Sequence, residues 1–414
     1  MHGWVSAVGA KARERSAAAR AHATKDGRAA LARRAARIRL LPAVATAVVA
    51  GLGVAVGAYT VLRWITPTSR AEAAPIDITK VSLTVVAGVG GVVALVIAYR
   101  RQRDLEQSRF VERFGAAAAQ LGATDVAVRI AGVYAMAGVA DESDGLRRQQ
   151  CIDVLCGYLR LPYSPELGVN HQSKLVLKHH RATTDGTRAD DEEHHLEYRH
   201  NDREVRATIL RVIADHLRPT AEYSWSASDF DFRTAHLEDV DLDQATFSGD
   251  VRFDNATFSG NAGFIDATFS GTVSFQGATF SGHADFTVAE FSSTARFRDA
   301  LFAGDAQFSS AKFSVVTFAY ATFSAVARFD DAKICNAAWF EGVTFSGPAR
   351  FEGVDFGADF VSFERPRQWG PPEPVFDWSA DISRKPVNIA PPEWPPPTIA
   401  QTPRESRGPA NPVM

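Results

Sequence analysis

The sequence predicts an α+β multidomain chain: two transmembrane helices, a small α-helical module, then a solenoid of very short β-strands. Three patterns carry that prediction. Two long uncharged runs stand near the start, a helical apolar period follows them, and from Phe232 a large apolar side chain returns every five or six residues. At 414 residues and 46% apolar content, the chain can fill several cores.

Residues 1–39 form a basic leader. Lys11, Arg13, Arg15, Arg20, Lys25, Arg28, Arg33, Arg34, Arg37 and Arg39 face only Glu14 and Asp26, an asymmetry hidden by the formal net charge of -3. Residues 40–62 are almost wholly apolar and residues 81–99 carry no charge. Each run can cross a hydrocarbon layer of about 30 Å at about 1.5 Å per residue. A cleaved signal peptide fits poorly, because the leader is too long and the apolar run exceeds the usual length.

Cations set the expected orientation. The leader, together with Arg100, Arg101 and Arg103, outnumbers Arg63, Arg70 and Lys80 in the connection 63–80. The expectation is an integral protein of the cytoplasmic membrane with two spans, both termini cytoplasmic and 63–80 a short extracytoplasmic loop. The lipid bilayer is then a partner, and the leader's charge needs no nucleic acid to explain it. Gly53 and Gly57 form a GxxxG that leaves a homodimer open, although chance in a Gly- and Ala-rich run explains it as well. Cys151, Cys156 and Cys335 are too few for a disulfide framework and read as buried thiols in a reducing compartment.

Residues 100–168 read as a helical juxtamembrane module. Phe110, Phe114 and Leu121 mark one apolar stripe, Val126, Ile130, Val133, Tyr134 and Ala137 a second, and Leu146, Ile152, Leu155, Cys156 and Leu159 a third. Gly122, Gly145 and Pro162 punctuate them. Residues 169–200 read as a charged linker containing His171, His179, His180, His194, His195 and His200 beside Asp190, Asp191, Glu192 and Glu193. Their spacing matches no compact zinc site, so no metal ligand is assigned. Asn201 and Glu204 suit the N-terminus of a helix over 201–218, with Val205, Ile209, Val212 and Leu217 as its apolar face.

Residues 230–363 hold the repeat. The steps alternate five and six, giving 11-residue units such as ATFSGDVRFDN and ATFSGNAGFID. Two places before nearly every Phe stands Ala or Val, as in Ala256 before Phe258 and Val273 before Phe275. In an extended backbone these two side chains share a face, so both point inward and the Thr between them points out. Gly249, Gly260, Gly271, Gly282 and Gly304 recur where corners are needed. An 11-residue period could also describe a right-handed supercoiled helix, but the Gly, Ser, Thr and Phe content opposes it.

These units resemble the pentapeptide-repeat family, which implies a right-handed quadrilateral β-helix of roughly 22 residues per coil, coils stacked about 4.8 Å apart. The segment VERFGAAAAQLGATDVAVRIAGVYAMAGVADES with CIDVLCGYLRLPY resembles the juxtamembrane module of bacterial membrane proteins that carry such repeats. That module has no assigned activity, so the resemblance implies architecture. Residues 364–414 read as a Pro-rich tail, largely disordered, with Trp378 and Trp394 closing the open end of the rod.

No catalytic, cofactor-binding or metal-binding residue is assigned, since the outward positions contain no nucleophile set, phosphate loop or ligand cluster. The expected function is a membrane-anchored, non-enzymatic scaffold whose cytoplasmic solenoid binds an unidentified protein partner. Two alternatives stand beside it. Some members of the family mimic duplex DNA and bind DNA gyrase through an acidic rod, and residues 242–363 hold 14 acids against seven cations. The other is a metal-dependent enzyme or sensor using the His-rich loop.

Overall fold

The computed structural model describes residues 75–165, 174–179, 192–197, 202–357 and 359–399, with isolated positions between Gly53 and Trp64. Two compact units divide the chain, residues 1–109 and 110–414. Helix α1, Pro75–Leu121, runs 47 residues. Among the described residues no helix is long and apolar enough to cross a membrane. That finding corrects the expected two-span placement in the cytoplasmic membrane. The uncharged run 81–99 is no separate element, because the same helix continues through Arg100, Arg101, Arg103 and Asp104. The leader and almost all of 40–62 lie outside the described residues.

In the second unit the end of α1 packs with α2 (Val126–Asp141), α3 (Gly145–Leu159) and α4 (Asp202–Leu217). Asp125 starts α2 by accepting the N–H groups of Ala127 and Val128 at 2.7 and 3.2 Å. Gly132 lets α2 approach α1 closely, since a Cβ there would lie 2.6 Å from the Leu121 nitrogen. Val133, Met136, Ala137, Ile152, Leu155, Val205, Ile209 and Val212 form the buried core. Tyr134 and Leu146, expected in the apolar stripes, are instead 51% and 75% exposed. Arg129, on the same helix as Tyr134, is instead fully buried.

The stretch read as a linker contains a pair of antiparallel strands, β1 (Lys174–His179) and β2 (Glu192–Glu197). Their register sets Lys174 opposite Glu197 and Lys178 opposite Glu193. His171, His180, His200 and Asn201 lie outside the described residues.

From Phe230 the chain winds as a β-solenoid. Successive coils pair in parallel, Thr257–Phe258 with Thr279–Phe280 and then Leu301–Phe302. Four inward columns of large side chains make it four-sided. One column is Phe232, Phe253, Phe275, Phe297, Phe318, Phe340 and Phe363, each ring stacked on the next at 4.6–5.1 Å between centroids. The others pass through Phe280, Phe286 and Phe291. The ring spacing equals the spacing of neighbouring strands, so the backbone ladder and the aromatic stack enforce one register. The small partners, such as Ala256, Val273, Ala278 and Ala284, are buried beside them.

The alternating five- and six-residue steps are two kinds of corner. Two residues after Phe253, Phe264, Phe297 and Phe329, the residues Asn255, Asp266, Asp299 and Asp331 take left-handed φ of 55–57°. Asn and Asp tolerate that region best after Gly. Several of the other corners carry Gly, as at Gly249, Gly271, Gly282, Gly304 and Gly347, and there the coils nearly touch. A Cβ on Gly282 would sit 2.2 Å from the Gly260 carbonyl oxygen of the coil before.

Two further expectations need correction. The Pro-rich stretch up to Ile399 is ordered rather than largely disordered, because Trp369, Phe376 and Ile389 occupy inward positions and extend the solenoid. Gln368–Trp369 pairs with Thr344–Phe345, Val375–Phe376 with Arg350–Phe351, and Ile389–Ala390 with Val361–Ser362. Trp369, Trp378 and Trp394 gather around Phe376 and close the end. Residues 400–414 lie outside the described residues. Cys335, expected buried, is exposed at an outward strand position, whereas Cys151 and Cys156 are buried. Burial pushes those two thiols up to about 11 and about 12.

Candidate functional site

Two places concentrate polar chemistry: the joint between helices and solenoid, and the outward walls. At the joint, α2, α3 and α4 bring together Arg129, Tyr158 and Asp202. The Arg129 guanidinium, fully buried, donates to Tyr158 Oη at 3.0 Å and to Asp202 Oδ1 at 2.6 Å, and Tyr158 Oη donates to the same carboxylate at 2.6 Å. One helical turn along α4, the buried Arg206 donates to the carbonyls of Tyr158, Leu159 and His236 and lies over the Tyr163 ring at 4.4 Å. Burial lowers the Arg206 pKa. Tyr163 is pushed up by burial and by its hydrogen bond to Glu238, and burial pulls His236 down.

The joint is extended by Arg160 on Asp231 at 2.8 Å and by Gln149, which exchanges hydrogen bonds with the backbone of Asp229 at 2.7 and 2.9 Å. Trp225 donates to Asp141 Oδ1 at 2.8 Å and stacks on His216 at 4.0 Å. A cavity of about 260 Å³ remains between α4 and the first coil, lined by Arg203, Arg206, Leu210, His236, Glu238 and Asp239. Its charges are paired across the gap: Arg203 reaches Glu238 at 3.0 Å and Asp239 at 3.6 Å. These contacts hold the helices on the solenoid.

Sequence reasoning missed this joint. Arg129 and Arg206 interrupt apolar stripes, and the only signal that could have found them is that interruption, since a cation on a core face needs a buried partner.

On the walls, the Thr residues form outward ladders, with Thr257 beside Thr279 and Thr322 beside Thr344. Much of the acid is structural. Asp229, Asp239, Asp243, Asp250, Asp305 and Asp330 each accept a backbone N–H from the following coil at 2.8–3.3 Å. Asp355 pairs with Lys333 and Glu352 with Arg350. Of the histidines considered as ligands, His179 lies on β1 and His194 and His195 on β2. No group of three potential metal ligands is found among the described residues.

The parallel coils, the four ring columns and the small-x-Phe pattern together define the repeat. The family model of pentapeptide repeats (9 copies) matches residues 232–279, 242–290 and 264–312. These coils are pentapeptide repeats. The pentapeptide-repeat solenoid continues with the same parallel pairing beyond the matched residues to Ile389–Ala390. No curated protein and no solved structure matches the chain.

Proposed function

We propose that the protein is a non-enzymatic interaction scaffold in which the walls of the pentapeptide-repeat solenoid bind a protein partner. The observation carrying this reading is that both ends of the solenoid are covered. Helices α3 and α4 sit on the first coil through Arg160, Gln149 and Arg206. The three tryptophans cover the last coil. End-to-end strand addition is thereby blocked, and the long regular walls remain as the surface for recognition. The duplex-mimic reading draws little support from the acids, because Asp243, Asp250, Asp305 and Asp330 accept backbone N–H groups of the next coil while Asp355 and Glu352 pair with Lys333 and Arg350.

The test is chemical crosslinking in the native cell followed by retrieval of the full chain and of a chain lacking residues 232–363. A partner crosslinked to the full chain and lost with the solenoid is the expected result. Retrieval of the same proteins by both chains would move the binding function to the helices and end this reading.

A further inference from the structure

The walls are not uniform. Most outward positions hold Thr, Ser, Asp or small residues, but one corner near the C-terminal end gathers Arg296, Arg298, Tyr320, Trp339, Phe360 and Arg367. Arg296, Thr317 and Trp339 follow one another up a single outward ladder, and Phe360 is set beside Ala337 on the same wall. Trp339 is 36% exposed and Phe360 46%.

Tyr320 stands at the left-handed corner position, φ 60°, where the coils on either side place Asp299 and Gly342. A bulky aromatic residue is uncommon there and strained. Gly342 makes room for it, since a Cβ on that glycine would lie 2.5 Å from Tyr320 Cδ1. The guanidiniums of Arg298 and Arg367 each lie 5.0 Å from the centre of the Tyr320 ring. Stacking on a ring fixes the plane of a guanidinium while leaving its N–H groups to other acceptors. Arg298 has an exposed pair with Asp299 at 3.3 Å, and Arg365 pairs with Glu341. Arg296 and Arg367 make no ion pair among the described residues.

Exposed Trp and Arg around a half-buried Tyr are the residue types that dominate binding energy at protein interfaces. We propose that this corner of the solenoid docks an acidic segment of a partner protein, its carboxylates meeting Arg296, Arg298 and Arg367 and an apolar or aromatic side chain covering Trp339 and Phe360. The inference rests on the scaffold reading and names the wall and the chemistry that serve it.

The experiment measures binding of the purified full chain to a fluorescent random copolymer of glutamate and tyrosine, with an oligothymidylate as the competing probe. Arg296→Glu combined with Arg367→Glu is expected to weaken copolymer binding by about tenfold or more, and Trp339→Ala by a similar factor. Arg328→Glu, a single charge reversal on another wall, should leave it within about twofold, whereas Arg296→Glu alone should weaken it by more. Tyr320→Gly, which suits the left-handed backbone and removes the ring, should weaken binding without loss of fold by circular dichroism. Absence of copolymer binding, or an equal loss with Arg328→Glu, overturns the proposal. Tighter binding of the oligothymidylate also overturns it in favour of a nucleic acid. If the crosslinked partner is lost with residues 232–363 yet kept by the Arg296 and Arg367 double variant, the scaffold reading stands and this corner is not its site.

Discussion

Phe275 and Arg129 are both fully buried, and they are held in opposite ways. Phe275 stacks on Phe253 and Phe297 at 4.8 Å, and its neighbours Phe264 and Phe286 meet it edge-on at 5.7 and 5.6 Å. Every coil repeats that arrangement, so no one ring is unique. Arg129 is held by Tyr158 and Asp202, from two other helices, in a set that occurs once among the described residues. The solenoid spreads its stability over nearest-neighbour layers, whereas the helical module depends on single constellations whose parts lie 29 and 73 residues away in sequence.

The largest effect that could break this contrast is expected at the ring stack. Phe275→Ala should destabilise the solenoid by about 3–5 kcal/mol, read as a shift in the denaturant midpoint, because a central layer cannot collapse onto the cavity. A change near zero would mean that the columns do not carry the fold. Next comes Arg129→Met, expected to cost about 3 kcal/mol, since it takes from the Asp202 carboxylate the nearer of its two guanidiniums and leaves only Arg206, at 3.9 Å, in a place with little water. Hydrogen exchange should locate that loss in α2, α3 and α4 and spare the distal coils; uniform loosening would show that the two regions unfold as one.

Gly282→Ala should cost about 1–3 kcal/mol, because the new methyl meets the Gly260 carbonyl of the coil before and the backbone must give way. Wild-type stability in that variant would remove close coil contact as the reason for glycine there. The smallest effect concerns acid. A hydrogen bond from Arg233 holds the Asp231 carboxyl below its ordinary value, so the folded pKa lies under the unfolded one. The stabilisation is present above the unfolded value of about 3.9 and fades as pH falls through the folded value. A pH series of melting curves should show Asp231→Asn declining less steeply below about pH 4 than the parent; parallel curves would remove Asp231 from the acid response.

The solenoid was legible because its signal is local and repeated. The pair Ala256 and Phe258 states the inward face, Gly282 states the corner, and the next coil states both again. The tail was misread for a related reason: its many prolines outweigh three large residues, Trp369, Phe376 and Ile389, set at irregular spacing. The two apolar runs near the start were read by hydropathy alone. The second proved to be one part of a 47-residue helix that also carries the following charges. In the helical module Tyr134 and Leu146 fit the period yet face outward, while Arg129 breaks it and faces in.

The sequence by itself determined that residues from Phe232 onward coil with a large and a small side chain inward on each short strand. Period-two geometry and a recurring Phe leave a β-solenoid as the arrangement that buries them all. Only the tertiary structure decided which cations are buried, how the helices are fastened to the first coil, and which wall gathers Tyr320, Trp339 and the arginines. Those groups are distant in sequence and meet only when coils stack and helices dock. No local pattern encodes such a meeting.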